Sequence, residues 1–494
     1  MRLAAFLLLG ALTIVAQTLD ERVAALAAES AAAKQGFWGA LAVDLESDEA
    51  VLERDADRLF VPASTVKLFT AAAALSRLGP DHRFRTLVIA IGDIGADGTV
   101  SGDLCFYGGG DPTLSARKLP YEKGPALGDP LAPLRELAEQ VTARGVRAVT
   151  GNLVGDDSAY VHEPYPEGWA QEDLAWEYGA PVSALTLHDN AFRLLVVAGT
   201  EPGSPARLVL RPPVDDYHTI KNHVTTVESG DSDVHVDWPP GAEAIDLWGR
   251  VRRGAARAKL LAIRNPANYA AWVLASELRT QGVRIDGEIR SRHRWMREVG
   301  DFRRGEPPRP PAGTVVAERI SPALFEILKA LSKDSQNLHA ELVLRELGRA
   351  RRGVGSRSAG LAETAEFAKE AGVGSEGYRL VDGSGLSIRN LAAPRAVVKL
   401  LTHMYLSEQG EGWMDLMAIG GEDGTLGHRF RSDRTRGRVL AKTGTLTGAC
   451  ALSGYADTRS GRKLAFSIMV NNYLGPAREA RRFIDGIVEA LLDQ

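Results

Sequence analysis

Ser64 and Lys67, Ser335 and Asn337, and the run Lys442-Thr443-Gly444 are the residues whose types and spacing can do chemistry in this chain. A serine hydroxyl is a weak nucleophile at neutral pH and needs a base, and a lysine partly buried beside other cations gives up its proton readily enough to serve as one. Pro62 suits a helix entry and Leu68 to Leu75 is rich in helix formers, so a helix is predicted from about Ala63. Ser64 and Lys67 then share one face, with Cβ atoms about 5–6 Å apart. Each motif alone occurs on surfaces by chance; their order and context describe a serine acyl-transfer site.

The elements that must position these groups follow from the flanking sequence. Lys442-Thr443-Gly444 sits in strand-like sequence running from Val439 to Gly454, and an exposed strand edge can bind an extended peptide. Backbone N–H groups there, Thr445 among them, can join the N–H of Ser64 in an oxyanion hole. Lys442 and Thr443 offer a cation and a hydroxyl to a terminal carboxylate, and Gly444 permits close backbone approach. Ser335 and Asn337 lie between two helical stretches, Pro322 to Ser332 and Leu338 to Leu347, which puts them on a connecting loop. Ser335 can relay a proton to a leaving group; Asn337 can hold a substrate amide or position Lys67. His339 reads as a packing or capping residue.

This constellation is the one shared by penicillin-binding proteins and β-lactamases. With Leu78-Gly79-Pro80-Asp81, Gly108 to Pro112, Tyr178 to Leu185 and Asp382 to Ser387, the chain resembles the class C low-molecular-mass penicillin-binding proteins, which are D-alanyl-D-alanine carboxypeptidases and endopeptidases. The long separation of Ser64 from Ser335 resembles that family's insertion, and the middle motif has Gln336 where aspartate is commoner. The resemblance implies a transpeptidase-like domain, an antiparallel sheet flanked by helices within an α+β multidomain chain, carrying a large β-rich insertion. It also implies catalysis without cofactor or metal, peptidoglycan stem peptides as substrates and β-lactam antibiotics as covalent inhibitors. Asp173, five residues before Tyr178, takes the place of the family's acid for the free amino group of the third stem residue, and Trp169 that of a pocket wall. The family's arginine for the carboxylate on that residue is displaced: Ile388 stands there and Arg389 follows. Without the resemblance, Gly108 to Pro112 and Asp382 to Ser387 are glycine-rich turns. Rival readings on the same motifs are a β-lactamase or esterase and a non-catalytic penicillin sensor or wall-binding protein.

The 494 residues exceed one ordinary core and suggest two or three domains, with a globular composition of 45% hydrophobic and 25% charged residues. The expected division is a catalytic part, 17–85 and 297–494, an inserted domain, 86–190 and 259–296, and a nested third, 191–258. Met1-Arg2 and the apolar run Leu3 to Ala16 read as an export signal cleaved after Ala16, which places the mature protein in the periplasm or otherwise outside the cytoplasm. Gln17 in place of cysteine argues against a lipoprotein. The net charge of −4 excludes a generally basic nucleic-acid binder. Arg250 to Lys259 and Arg290 to Arg297 read as solvated faces that leave loose wall or membrane association open. Cys105 and Cys450 are expected as two buried free thiols. Leu19 to Lys34 reads as a helix, Phe37 to Leu45 and Ala50 to Arg54 as strands, and Arg438 to Ala456 as a strand paired with Lys463 to Asn471. Ala477 to Leu492 reads as a closing helix whose Phe483, Ile484, Ile487, Val488 and Leu491 face the core.

Overall fold

The computed structural model describes residues 17–122, 128–213 and 217–494; the expected export signal lies outside the described residues. Both ends of the chain build one antiparallel sheet. Its strands run in the order Ala418–Ile419, Val439–Leu446, Ala449–Asp457, Lys463–Asn471, Phe37–Asp44, Ala50–Arg54. Lys463–Asn471 pairs with Phe37–Asp44 along its length, Asn471 opposite Phe37 and Leu464 opposite Asp44. Alternation then divides the strand between two cores. Leu464, Phe466, Ile468 and Val470 pack with the helices Leu19–Glu29 and Ala477–Leu492, while Ala465 and Met469 face the other way, toward the helix Pro394–Leu406, in a core that also takes in the helix that follows the serine. The five apolar positions expected to bury the last helix all do so.

Two local expectations change. The run from Arg438 to Ala456 is a hairpin, Val439–Leu446 and Ala449–Asp457, turning at Thr447-Gly448 with Gly448 at φ +69°. Thr-Gly is a weaker hairpin signal than Asn-Gly, so the sequence reads as one strand. The first helix breaks at Ser30, which ends Leu19–Glu29 and caps Ala31–Gln35 by accepting from the Ala33 N–H at 3.3 Å.

The insertion centres on a five-stranded sheet, ordered Ile289–Arg294, Leu153–Val161, Asp103–Tyr107, Arg85–Ile91, Thr314–Ile320. Helices Ala132–Ala143 and Pro266–Thr280 share its core, through Leu134, Leu137, Val141, Tyr269 and Val273. Thr314–Ile320 pairs antiparallel with Arg85–Ile91. That strand belongs to the inserted sheet, although it follows residue 297, where the catalytic part was expected to resume. Two three-stranded sheets occupy 191–262. Cys105 and Cys450 are both buried and free, and the basic positions Arg250, Arg252, Arg253 and Arg290 are exposed.

One close approach joins the sheet to the turn that carries Ser64. Ala63–Val66 forms a 3₁₀ turn and the α-helix proper is Lys67–Leu78, buried from Lys67 to Leu75 with four consecutive alanines, Ala71 to Ala74, that let neighbouring helices come near. A Cβ at Gly444 would stand 2.6 Å from the Pro62 carbonyl oxygen and 3.2 Å from the Ser64 nitrogen. The strand can therefore lie against the serine turn only as glycine. Gly444→Ala should push Ser64 away from the strand edge. A displacement near 1 Å costs about 100-fold in rate, so acylation by a fluorescent penicillin should slow by about that factor, measured by stopped-flow labelling, while the urea unfolding midpoint changes little.

Candidate active site

Ser64, Lys67 and Asn337 converge. Lys67 Nζ lies 2.9 Å from Ser64 Oγ, 2.6 Å from Asn337 Oδ1 and 2.6 Å from the Ser384 carbonyl oxygen. A neutral amine has two N–H donors and one lone pair. Asn337 and Ser384 take the two donors, which leaves the lone pair for the proton of Ser64. Burial pushes the Lys67 ammonium down to about 7, against the opposing charges of Asp382 and Glu341, which favour the charged form. The amine is fully buried, so the desolvation that favours its neutral form is not relieved by solvent.

Asn337 opens the helix Asn337–Arg352 instead of lying on the loop before it, because Gln336 caps that helix by accepting from the Leu338 N–H at 3.1 Å. Its side chain bridges two parts of the protein, offering Oδ1 to Lys67 and donating Nδ2 to the Tyr178 carbonyl at 2.8 Å. Ser335 stays in the connection, held at φ +61°. A non-glycine residue there is sparsely populated and costs about 1–3 kcal/mol. That conformation brings its Oγ 2.7 Å from Lys442 Nζ. Lys442 is buried, and burial followed by the charge of Lys67 holds its ammonium well below the ordinary range, with Asp334 opposing. Its Nζ also donates to the Thr443 carbonyl at 3.0 Å, and Thr443 Oγ1 donates to Thr425 Oγ1 at 2.9 Å. Thr445 is exposed. The pairing with Ala418–Ile419 reaches only Ala441. Among the described residues, the outer edge of the strand from Lys442 to Leu446 carries no further strand partner, which is what an extended peptide needs.

Sequence reasoning missed the floor of the site. The run Asp382 to Ser387, read as a turn, carries the Ser384 carbonyl that holds Lys67. Its shape is set by two acids. Asp382 Oδ1 accepts from the Gly385 N–H at 2.7 Å and Oδ2 from the Ser387 N–H at 2.8 Å, while Glu341 Oε1 accepts from the N–H groups of Gly383 and Ser384, both at 2.9 Å. Glu341 is buried beside Arg345, and burial raises its carboxyl above the usual range. Its position four residues after Asn337, one helical turn on, is the only signal the sequence carries. His339 is a packing residue, as read, with Nε2 3.0 Å from Asp189 Oδ1.

The remaining candidates lie along the adjoining segments. Trp169 donates its indole N–H to Asp382 Oδ2 at 3.0 Å, so this residue braces the floor loop. Asp173 is beside Tyr178, and burial raises its carboxyl above the ordinary value. Arg389 is half exposed and forms an ion pair with Glu167.

Comparisons with known proteins identify the family. Residues 19–492 match the family model described as the D-Ala-D-Ala carboxypeptidase 3 (S13) family. The chain is 34% identical over 461 residues to a D-alanyl-D-alanine carboxypeptidase of an Actinomadura species, covering 91% of this chain and 80% of that protein. It is 26% identical over 443 residues to the D-alanyl-D-alanine carboxypeptidase DacB of Haemophilus influenzae, covering 88% and 85%. The crystal structure of penicillin binding protein 4 from H. influenzae has the same fold, with a TM-score of 0.79 at 24% identity over 95% of this chain and 98% of that one. A match along nearly the whole chain, with identity at this level, means that the chain belongs to the D-Ala-D-Ala carboxypeptidase 3 (S13) family and is a serine-type D-Ala-D-Ala carboxypeptidase on the penicillin-binding transpeptidase-like fold.

Proposed function

We propose that this carboxypeptidase trims the terminal D-alanine from peptidoglycan stem peptides, and opens cross-bridges that present the same acyl group, through an acyl-enzyme on Ser64. The observation that carries the reading is the Lys67 amine, 2.9 Å from Ser64 Oγ with its two other positions taken by Asn337 and Ser384. Ser64 Oγ attacks the penultimate D-alanine carbonyl as its proton passes to Lys67 Nζ, and the N–H groups of Ser64 and Thr445 receive the oxyanion. The carbon–nitrogen bond then breaks, and Ser335, hydrogen-bonded to Lys442, hands a proton to the departing amine. Lys442 and Thr443 give that alanine's carboxylate its dock. Water releases the acyl group in a second attack, and a β-lactam acylates the same oxygen. A substrate of this kind lies outside the cytoplasm, which is where we place the protein; among the described residues no helix is long and apolar enough to cross a membrane.

Ser64→Ala should abolish labelling by a fluorescent penicillin with the unfolding midpoint unchanged, and persisting label at the wild-type rate would overturn the assignment. Lys67→Ala should slow acylation by about 10²–10⁴-fold. Because only the unprotonated amine accepts a proton, the wild-type acylation rate should climb as pH rises through about 7, the value to which burial brings Lys67. A rate flat between pH 5 and 9 would assign the base elsewhere.

For the third stem residue we propose that Asp173 meets a free side-chain amine and that recognition of a carboxylate there is weakened. What supports the second half is the ion pair that occupies Arg389 with Glu167. Hydrolysis of peptides carrying lysine, N-acetylated lysine and diaminopimelate tests both halves. Free lysine should be preferred to its acetylated form by about tenfold or more, the worth of a charged hydrogen bond, and diaminopimelate should gain little over lysine. Equal rates for free and acetylated lysine remove Asp173 from the site, and a strong preference for diaminopimelate assigns Arg389 the carboxylate.

A further inference from the structure

The inserted domain carries a polar cavity of about 140 Å³ that shares no side chain with the serine centre. Its origin is an irregularity in the five-stranded sheet. The parallel pairing of Leu153–Val161 with Ile289–Arg294 jumps from Asp156 opposite Arg292 to Val161 opposite Arg294. Asp157 and His293 lie inside that jump, where a bulge re-aims side chains. His162 follows at once, its backbone N–H donating to the Arg294 carbonyl at 2.9 Å. One donor atom from each of Asp157, His162 and His293 then falls within 4.8 Å of the other two.

Hydrogen bonding accounts for only part of this cluster. Asp157 Oδ1 is 2.9 Å from His293 Nδ1, and Asp157 Oδ2 accepts from Ser183 Oγ at 2.8 Å. His162 Nδ1 is buried with no hydrogen-bond partner among the described residues. An orphaned buried nitrogen pays its full desolvation cost unless something binds it. Arg264, the cation in the cavity lining, is committed elsewhere: its guanidinium donates to the carbonyls of Trp238, Pro239 and Ala242.

We propose that Asp157, His162 and His293 bind a divalent first-row transition ion, zinc above all, outside the peptidase site. Two imidazoles and one carboxylate are donors suited to zinc, whereas calcium and magnesium take oxygen almost throughout. With donor atoms within 4.8 Å of one another, the three side chains would need only to turn toward a common centre to share one ion. Ser183 orients the carboxylate from its far side, as hydrogen-bonded partners of metal ligands do. Ser183 belongs to the segment Tyr178 to Leu185, whose first carbonyl holds Asn337 Nδ2. The ion would thus clip that segment to the inserted sheet, with no part in bond making at Ser64.

The full chain, stripped with a chelator and dialysed, is titrated with zinc chloride by calorimetry, and with cobalt chloride while the visible d–d absorption is followed. We expect one equivalent bound with roughly micromolar affinity or better, cobalt bands of a nitrogen-ligated ion, and a zinc-dependent rise in the unfolding temperature. Changing a partner of a metal ligand costs about 10–100-fold in affinity, so Ser183→Ala should lose that much and His162→Ala or His293→Ala at least as much. Circular dichroism reports whether each variant folds, and His162→Gln replaces His162→Ala if the alanine variant does not. These readouts are independent of acylation at Ser64, so failure of the peptidase reading and failure of the metal site are told apart. No uptake by the wild-type protein, or unchanged affinity in the histidine variants, overturns the proposal.

Discussion

The burial of one amine organises this protein. Lys67 sits with no water contact at the start of a helix, and the acceptors around it come from the helix Asn337–Arg352 and the loop Asp382 to Ser387. An ammonium in that position is costly and a neutral amine is not. Each element that crowds the site therefore also favours the neutral amine. Asp382 and Glu341 act against this through their charge, yet they fix the loop carbonyl that Lys67 needs. Lys442, a second buried cation with its ammonium depressed by burial and by Lys67, restrains the charge at the centre from the other side.

The sheet supplies what the helices cannot, an edge that is ordered and unoccupied. Ala418–Ile419 covers the start of the strand Val439–Leu446 and stops at Ala441. Had the cover continued, the backbone groups beside Gly444 would be spent within the sheet. The insertion contributes through the segment Tyr178 to Leu185, which reaches from its sheet to the Asn337 amide. Trp169 arrives from the same direction and bonds to Asp382, so this part of the chain meets the surroundings of Ser64 through a main-chain carbonyl as well as a side chain.

Much of this was legible in the sequence because it depends on local spacing. Ser64 and Lys67 meet across one turn, Gly444 announces a close approach, and the apolar positions of Ala477–Leu492 repeat at helical period. The hairpin at Thr447-Gly448 was not legible, since that pair carries little turn preference. The pairing of the strand Thr314–Ile320 with Arg85–Ile91 was not legible either, because strand partners are chosen by distant segments. Asp382, Ser384 and Glu341 escaped for a related reason: a backbone carbonyl leaves no trace in residue type, and a buried acid looks like a surface acid until its neighbours are known. Trp169 was placed at the site, but its bond to Asp382 depends on a loop far along the chain.

The pairing of Phe37–Asp44 with Lys463–Asn471 sets the order in which the protein can come into being. Ser64 lies near the start of the described chain, and the strand bearing Lys442 is made long after it. Until that strand and its neighbour arrive, the first strand lacks its partner and the serine turn has no Gly444 to lie against. Contacts between residues so far apart in sequence also form slowly. A nascent chain is thus chemically silent until Gly444 and its strand have been made, and remains an unfinished sheet for as long as any machinery must handle it unfolded.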